Sequence, residues 1–330
     1  MANRLTQFGN DLYTGERSIN FVGKRTLWYA IAAVLLAISV AFPIIRGFNF
    51  SIEFRGGSQF VIADVADANQ QTAKDAVSSV SPNAVTKVTI VGGNGVRVQT
   101  DQLSSDESRA VVTALASGYD VPEAEVTASF IGPSWGADVT RQALVGIVSF
   151  LALAAVGMAL YFRTWKMSIA AILSLIADLV VTVGVYSITG VEVSPAAMIG
   201  VLTILAYSLY DTVVVFDKIR ENTVNFGTDS TRTFGELVNL AVNQTLVRSI
   251  NTSVVAALPV GAILFIGAFA LGADTLRDIS LALFIGIIVG TWSTVFLAAP
   301  MYAQLRERES KVRKANQRIT SDRQKTSVEA

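Results

Sequence analysis

Six long apolar runs dominate this sequence and leave few folds open to it. They cover residues 26–45, 142–162, 167–191, 193–216, 249–273 and 279–305. A run of about 18 or more apolar residues with few charges is long enough to cross a bilayer as a helix. The runs therefore predict a polytopic α-helical membrane protein with six transmembrane helices.

The composition of the chain narrows the classes of function. There are no Cys and no His among the 330 residues, and the 26 basic residues balance the 26 acidic ones. Disulfides, Cys/His zinc sites and His-dependent catalytic triads are therefore excluded. A balanced charge does not favour a nucleic-acid binder, and the sequence contains neither a phosphate-binding loop nor a nucleophile–base pair. We expect a protein that is not an enzyme, binds no nucleic acid and carries no cofactor or metal.

The distribution of Lys and Arg predicts the orientation of the helices. With both termini in the cytoplasm, 18 of the 26 basic residues lie in cytoplasmic segments. Cytoplasmic loops of membrane proteins carry such an excess of positive charge. The cytoplasmic segments then sum to +8 and the extracytoplasmic segments to −6, while Asp178 and Asp211 contribute −2 within the membrane. The net charge of zero is therefore a cancellation between compartments.

The ends of the apolar runs divide the chain into five segments. Residues 1–25 are a cytoplasmic N-terminal segment, residues 26–46 the first transmembrane helix, and residues 306–330 a basic cytoplasmic tail. Helices two to six occupy residues 141–305. Between helices one and two, residues 47–140 are too many for a simple loop, so they predict a folded extracytoplasmic domain.

The order of elements in this segment predicts the fold of the domain. Alternating apolar and polar residues predict strands at 59–63, 85–91, 96–98 and 125–131. Helical spacing predicts helices at 69–80 and from Ser104 to Ser117, and the glycines at 92–95 predict a hairpin turn. The order βαββαβ is that of the ferredoxin-like fold. The domain is either an exposed module without chemistry of its own or a surface that contacts polypeptides, since sheet edges pair with extended chains.

Three charged residues lie in or at the ends of the apolar runs. Asp178 is near the middle of the third run, Asp211 is in the inner half of the fourth, and Arg248 precedes the fifth. An ionisable residue at the bilayer centre costs about 2.5–3.5 kcal/mol, so it persists when it is paired, protonated or facing water. Polar residues one helical turn away extend these positions into a stripe, namely Tyr207, Ser208, Asn251 and Thr252.

This polar stripe on helices three, four and five has two interpretations. In one, an Asp–Arg pair only locks the helices together. In the other, the aspartates take up and release protons along a shared cavity, and one proton crossing 100 mV supplies about 2.3 kcal/mol. Because the chain has no His, carboxylates would carry such a relay. In helix six, Gly286-x-x-x-Gly290 permits the close approach of a neighbouring helix.

Several stretches of the sequence resemble one known family. Residues 51–57, Ser-Ile-Glu-Phe-Arg-Gly-Gly, resemble an Asp-Phe-x-Gly-Gly signature, with Glu in place of Asp. Residues 131–136, Ile-Gly-Pro-Ser-Trp-Gly, resemble the Val-Gly-Pro-x-x-Gly element that precedes helix two. Residues 207–222 and 243–253 match the motifs of helices four and five, although Tyr210 replaces a common Asn and Ala177 a common His. Over essentially its whole length the chain resembles the SecF family of protein-translocase subunits, which belongs to the RND superfamily.

The resemblance implies a function, a location and a set of partners. SecF-like proteins pair with SecD in the bacterial cytoplasmic membrane and use the proton gradient to release preproteins from the SecYEG channel. The implied partners are SecD, SecYEG, YidC, unfolded preproteins and the lipid bilayer. The resemblance further implies that Asp211 and Arg248 lead the proton pathway, with Asp178 third. The implied junction between membrane and domain consists of Glu53, Phe54, Gly56 and Gly57.

Two other functions stay open at this point. Six helices form half of an RND-type unit, so the chain could be half of an exporter for lipids or small molecules. A large substrate-binding domain fits poorly into fewer than 100 residues between helices one and two. The chain could also be a non-transporting assembly subunit, in which Asp178, Asp211 and Arg248 only hold helices together.

Overall fold

Six long helices form the main body of the protein. A computed structural model describes residues 2–228, 230–268 and 274–329. Within these ranges six helices are long and apolar enough to span a membrane, and we call them spans one to six. Their bounds are Arg25–Arg46, Ser134–Phe162, Trp165–Thr189, Pro195–Thr223, Phe234–Ile266 and Thr275–Glu307. Each overlaps one predicted run, which confirms the six-span helical fold.

Several helices begin before the apolar runs that predict them. The helix of span two begins at Pro133, so residues 133–140, predicted as the end of the extracytoplasmic domain, belong to this helix. The helix of span five begins at Phe234, where Thr233 and Glu236 form a capping box. An apolar run marks only the part of a helix that lies in hydrocarbon, whereas a cap marks where the helix begins. The predicted end of run five, residues 269–273, lies outside the described residues.

Both polar ends of the chain contain helices, Ala2–Thr14 and Ser310–Glu329, and both contact the start of span five. After the first of these helices, the backbone N–H of Phe21 donates to Asn239 Oδ1 at 2.8 Å. From the last helix, the Arg323 guanidinium donates to the carboxylate of Glu236 at 2.7 and 2.9 Å. The two terminal segments therefore lie at the same end of the bundle.

Glycines bring span six into close contact with span four. A Cβ at Gly286 would overlap the side chain of Ile204, and a Cβ at Gly290 would lie 2.9 Å from Ser208 Cβ. The Gly286-x-x-x-Gly290 spacing thus provides the close approach that the sequence predicts. It places span six directly beside Ser208.

A four-stranded antiparallel sheet and two helices form the domain between spans one and two. The elements are β1 (Gly57–Ile62), α1 (Gln70–Val80), β2 (Thr86–Val91), β3 (Gly95–Thr100), α2 (Ser105–Tyr119) and β4 (Val126–Ile131). The strands lie in the order β2-β3-β1-β4, with every neighbouring pair antiparallel. This βαββαβ arrangement confirms the predicted ferredoxin-like fold.

The two faces of this sheet differ in chemistry because side chains alternate along each strand. One face is apolar and packs against α1 and α2, and its fully buried side chains are Phe60, Ile62, Val96 and Val98. The opposite face carries Gln59 on β1, which is paired in register with Gln99 on β3. Arg97 lies on this polar face as well. Contacts of this polar face connect the domain to the spans.

Candidate functional site

Asp178 lies in span three with its carboxylate buried against span four. Only 3% of the residue is exposed. Oδ2 accepts a hydrogen bond from Ser208 Oγ at 2.6 Å, whereas Oδ1 accepts none from the described residues. A cavity of about 10 Å³ beside the carboxylate is lined in part by Trp292 and Ser293. A space of this size holds one water molecule at most.

Asp211 lies in span four and has the same arrangement toward span five. The residue is 7% exposed. Its Oδ1 accepts a hydrogen bond from Ser249 Oγ at 2.8 Å, and its Oδ2 has no partner among the described residues. Each buried aspartate therefore has one hydroxyl partner on the next span and one oxygen open to a proton.

Further hydroxyl groups join these helices to span six. Thr212, which follows Asp211, shares a 3.0 Å hydrogen bond with Thr294. Ser253 of span five shares another with Thr291 of span six. A hydroxyl both donates and accepts, so it can pass a proton as well as join helices. These four groups were not predicted, because a single Ser or Thr in an apolar run carries no distinguishing pattern.

Arg248 does not join the buried carboxylates. Its side chain is exposed, and Nη2 lies 3.3 Å from Tyr210 Oη, which is itself exposed. No described contact places an Arg248 hydrogen bond on Asp178 or Asp211. The hydrogen-bonded Asp–Arg lock of the first interpretation is therefore not formed.

The predicted polar stripe is divided between an interior and an outer surface. Ser208 is buried, Tyr207 and Thr252 are half-buried, and Asn251 is exposed. Consecutive residues of an α-helix point about 100° apart. Because Ser249 points at Asp211, its neighbour Arg248 is directed to a different side of span five, where it contacts the exposed Tyr210 of span four. Among the described residues, Arg248 and Asn251 therefore lie outside the interior that contains Ser208 and the two aspartates.

Another buried carboxylate, that of Glu192, lies in the turn between spans three and four. Glu192 Oε1 accepts a hydrogen bond from Gln99 Nε2 at 2.9 Å. Arg97 Nη1 lies 3.5 Å from Oε2, and Lys87 Nζ lies 3.8 Å from Oε1. Burial lowers the pKa of Arg97 and of Lys87 below the usual range, while the Glu192 carboxylate opposes this shift. The sequence did not identify Glu192, whose partners on β2 and β3 are distant along the chain.

The predicted junction between membrane and domain is a closely packed turn. Residues Ile52–Arg55 form a single helical turn that contains Glu53 and Phe54. Gly56 and Gly57 follow with φ of 76° and 137°, values that L-residues with a side chain rarely adopt. A Cβ at Gly57 would overlap the carbonyl oxygen of Thr100. Gly57 therefore packs tightly against β3 at a position that a side chain could not occupy.

Comparison with known proteins connects these features to one family. Residues 111–308 match the family described as protein export membrane protein SecD/SecF, C-terminal. Residues 41–63, which contain the junction, match the SecD/SecF GG motif. The chain belongs to the SecD/SecF family.

Individual members of the SecD/SecF family match most of the chain. It is 38% identical over 322 residues to the protein translocase subunit SecF of Streptomyces coelicolor, covering 97% of this chain and 86% of that protein. It is also 38% identical over 325 residues to SecF of Mycobacterium tuberculosis, covering 96% of this chain and 73% of that protein. The match confirms the resemblance drawn from the motifs.

A solved structure of this family has the same fold. The crystal structure of SecDF from Thermus thermophilus, a translocon-associated membrane protein, superposes with a TM-score of 0.77 at 30% identity. The superposition covers 88% of this chain and 39% of the SecDF chain, so this chain spans about two fifths of that protein. The chain is thus a multi-pass membrane protein of the SecD/SecF family. Among the described residues, no group of three or more acidic side chains could hold a metal ion.

Proposed function

We propose that this chain is an accessory subunit of the bacterial Sec protein translocase. Together with SecD it uses the proton-motive force to promote late export of preproteins and their release from SecYEG. It lies in the cytoplasmic membrane with both termini in the cytoplasm, and it acts as a transport component without a cofactor. Family membership supports this class of function, and the relatives of similar length are named protein translocase subunit SecF.

One observation carries the proton-coupled part of this proposal. Asp178 and Asp211 are both buried in the bundle, and each has one oxygen without a partner among the described residues. An ionised carboxylate in this state is unstable in a medium of low dielectric constant, and proton uptake at the open oxygen removes the charge. The hydroxyls of Ser208 and Ser249 hold the other oxygens toward the next span. Proton binding therefore changes contacts between spans.

The exposed position of Arg248 supports the proposal that a partner chain contacts this side of span five. A guanidinium that faces lipid in the apolar part of a bilayer is costly unless another group neutralises it. Arg248 and Asn251 are exposed on one surface of span five. A SecD partner that supplied a carboxylate there would complete the site. The pairing agrees with the SecDF structure, of which this chain covers less than half.

Preprotein release from membrane vesicles, measured with and without a proton gradient, tests the proposal. We expect Asp211→Asn to remove the increase in release that the gradient causes, because an amide cannot take up the proton. Asp217→Asn is the matched control, since Asp217 is an exposed acid on the same helix. Release by the control should keep its dependence on the gradient. Retention of this dependence in Asp211→Asn, at normal protein levels, would overturn the proton-coupled role.

A further inference from the structure

The Glu192 carboxylate connects the turn between spans three and four to the polar face of the sheet. Its two oxygens contact two strands of the domain, with Gln99 and Arg97 on β3 and Lys87 on β2. The Glu192 side chain is 10% exposed and the Arg97 side chain 12%. The Arg97–Glu192 contact is therefore largely shielded from water and differs from a surface ion pair, whereas the Lys87 side chain is 41% exposed.

Backbone hydrogen bonds hold the same turn to the segment that follows span one. The N–H of Val193 donates to Asn49 O at 2.7 Å, and the N–H of Ser51 donates to Val193 O at 3.0 Å. The Asn49 amide donates to Gly190 O at 3.0 Å, and Lys87 Nζ donates to Asn49 Oδ1 at 2.7 Å. The turn is thus attached both to the sheet and to the chain that leads into it.

The other end of the turn is attached to span six. Ser194 caps span four, and its Oγ donates to Asp278 Oδ2 at 2.6 Å. The hydroxyl of Tyr186 in span three donates to Asp278 O at 2.8 Å. Spans three, four and six therefore meet at this turn, and Glu192 extends from it to the domain.

The chemistry of a buried ion pair suits a positioning role. Replacing such a pair by apolar residues is often neutral for stability, so the pair is weak evidence of a stabilising role. Its directional contacts fix an orientation, however, and the loss of one partner leaves the other buried and uncompensated. An apolar contact of the same area would permit the sheet to slide across the turn.

We propose that Glu192 is the positioning residue through which changes at Asp178 and Asp211 reach the extracytoplasmic domain. The inference rests on the proposed proton-coupled function. Spans three and four carry the two aspartates, are joined by the Asp178–Ser208 hydrogen bond, and end in the turn that contains Glu192. A shift of one span against the other moves this turn, and the contacts of Glu192 make the sheet follow.

Gradient-dependent release from vesicles that contain the full translocase measures the effect of Glu192. We expect Glu192→Ala to reduce the ratio of release with and without the gradient to near one. Glu192→Gln keeps an acceptor for Gln99 but loses the charge facing Arg97, so we expect a partial loss. Glu123→Ala is the control, because Glu123 is an exposed acid of the extracytoplasmic domain. Its ratio should equal that of the wild type.

A reversible covalent bridge between the sheet and the turn tests whether Glu192 positions the sheet or only stabilises the fold. The chain contains no Cys, so Gln99→Cys with Glu192→Cys introduces its only thiol pair. A short bis-thiosulfonate linker joins the two thiols, and a reductant removes it. We expect the unbridged double variant to lose the gradient effect, the bridged form to regain it, and reduction to abolish it again. If the sheet has to separate from the turn during the transport cycle, the bridge would instead block gradient-dependent release.

The outcomes for the positioning role and for the proposed function differ. If the wild type shows no gradient effect, or Asp211→Asn retains it, the proton-coupled function is wrong. If Asp211→Asn loses the effect while Glu192→Ala keeps it, only the positioning role is wrong. A bridge that fails to restore the effect also overturns the positioning role. The positioning role is supported if Glu192→Ala loses the gradient effect and the bridged double variant regains it.

Discussion

The buried carboxylates of Asp178 and Asp211 have surroundings opposite to those of the Glu192 carboxylate. Asp178 and Asp211 each accept one hydrogen bond from a neutral hydroxyl and keep one oxygen open. Glu192 has an amide donor and two cationic side chains directed at its two oxygens. The first arrangement leaves one carboxylate oxygen without a hydrogen-bond donor among the described residues, whereas in the second both oxygens face donor groups of the sheet. This difference supports the two proposals, that the interior aspartates exchange protons and that Glu192 attaches the domain to the spans.

Removing Arg97, the more buried of the two cations beside Glu192, should give the largest effect. Arg97→Ala leaves Glu192 buried with weaker compensation, and breaking a buried ion pair costs about 3–5 kcal/mol. We expect faster amide hydrogen exchange in β2 and β3, measured on the protein in lipid bilayers. The double variant Arg97→Ala with Glu192→Ala should exchange more slowly than Arg97→Ala alone, because it leaves no unpaired carboxylate. If the amides of β2 and β3 exchange equally slowly in the wild type and in Arg97→Ala, the charge of Arg97 does not fix the position of Glu192.

A smaller effect is expected where span six contacts Ser208. In Gly290→Ala the added Cβ lies 2.9 Å from Ser208 Cβ and Oγ, and overpacking of this kind costs about 1–3 kcal/mol. Gly200→Ala is the control, because its Cβ meets Ala282 Cβ at a similar 2.8 Å. We expect both variants to unfold at lower temperature in detergent. Only Gly290→Ala should also reduce gradient-dependent release, since only it displaces the partner of Asp178. If both variants lose the same fraction of gradient-dependent release, Ser208 contributes to packing alone.

Much of the fold could be predicted because the physical causes act locally. The thickness of the hydrocarbon sets the length of each apolar run, and the alternation of side chains with glycine turns sets the βαββαβ order. Asp178 and Asp211 were recognisable because a charge within an apolar run is costly and therefore rare. The helix starts at Pro133 and Phe234 were not predicted, because apolarity does not mark a cap.

The remaining features of the site depend on contacts between distant parts of the chain. Glu192 is a single acid in a short turn, and its partner Gln99 is 93 residues away. No local pattern distinguishes it from a solvated loop residue. The outward direction of Arg248 depends on how span five is rotated against span four, which the position of Ser249 settles. Such rotations follow from packing across helices, which a single sequence does not encode locally.

Removing the hydroxyl beside Asp178 should have a moderate effect. Ser208→Ala leaves the carboxyl without its donor, and a hydrogen bond of this kind contributes about 1 kcal/mol. We expect gradient-dependent release to slow by about fivefold. Thr203→Ala is the control on the same span, since the Thr203 hydroxyl bonds only to the backbone of Ile199 among the described residues. If Ser208→Ala and the control show the same rate of gradient-dependent release, the Ser208 hydroxyl is not part of the proton pathway.

The weakest contact tests whether Arg248 is separate from the buried carboxylates. Tyr210 and Arg248 are both exposed, and their 3.3 Å contact is long for a hydrogen bond. Tyr210→Phe should therefore change the stability of the chain by less than about 1 kcal/mol and leave most gradient-dependent release intact. If a proton path from Asp211 to the surface of span five instead ran through this hydroxyl, Tyr210→Phe would abolish the gradient effect as completely as Asp211→Asn. Release from vesicles with both variants side by side decides between these cases, because only a relay within this chain requires the Tyr210 hydroxyl.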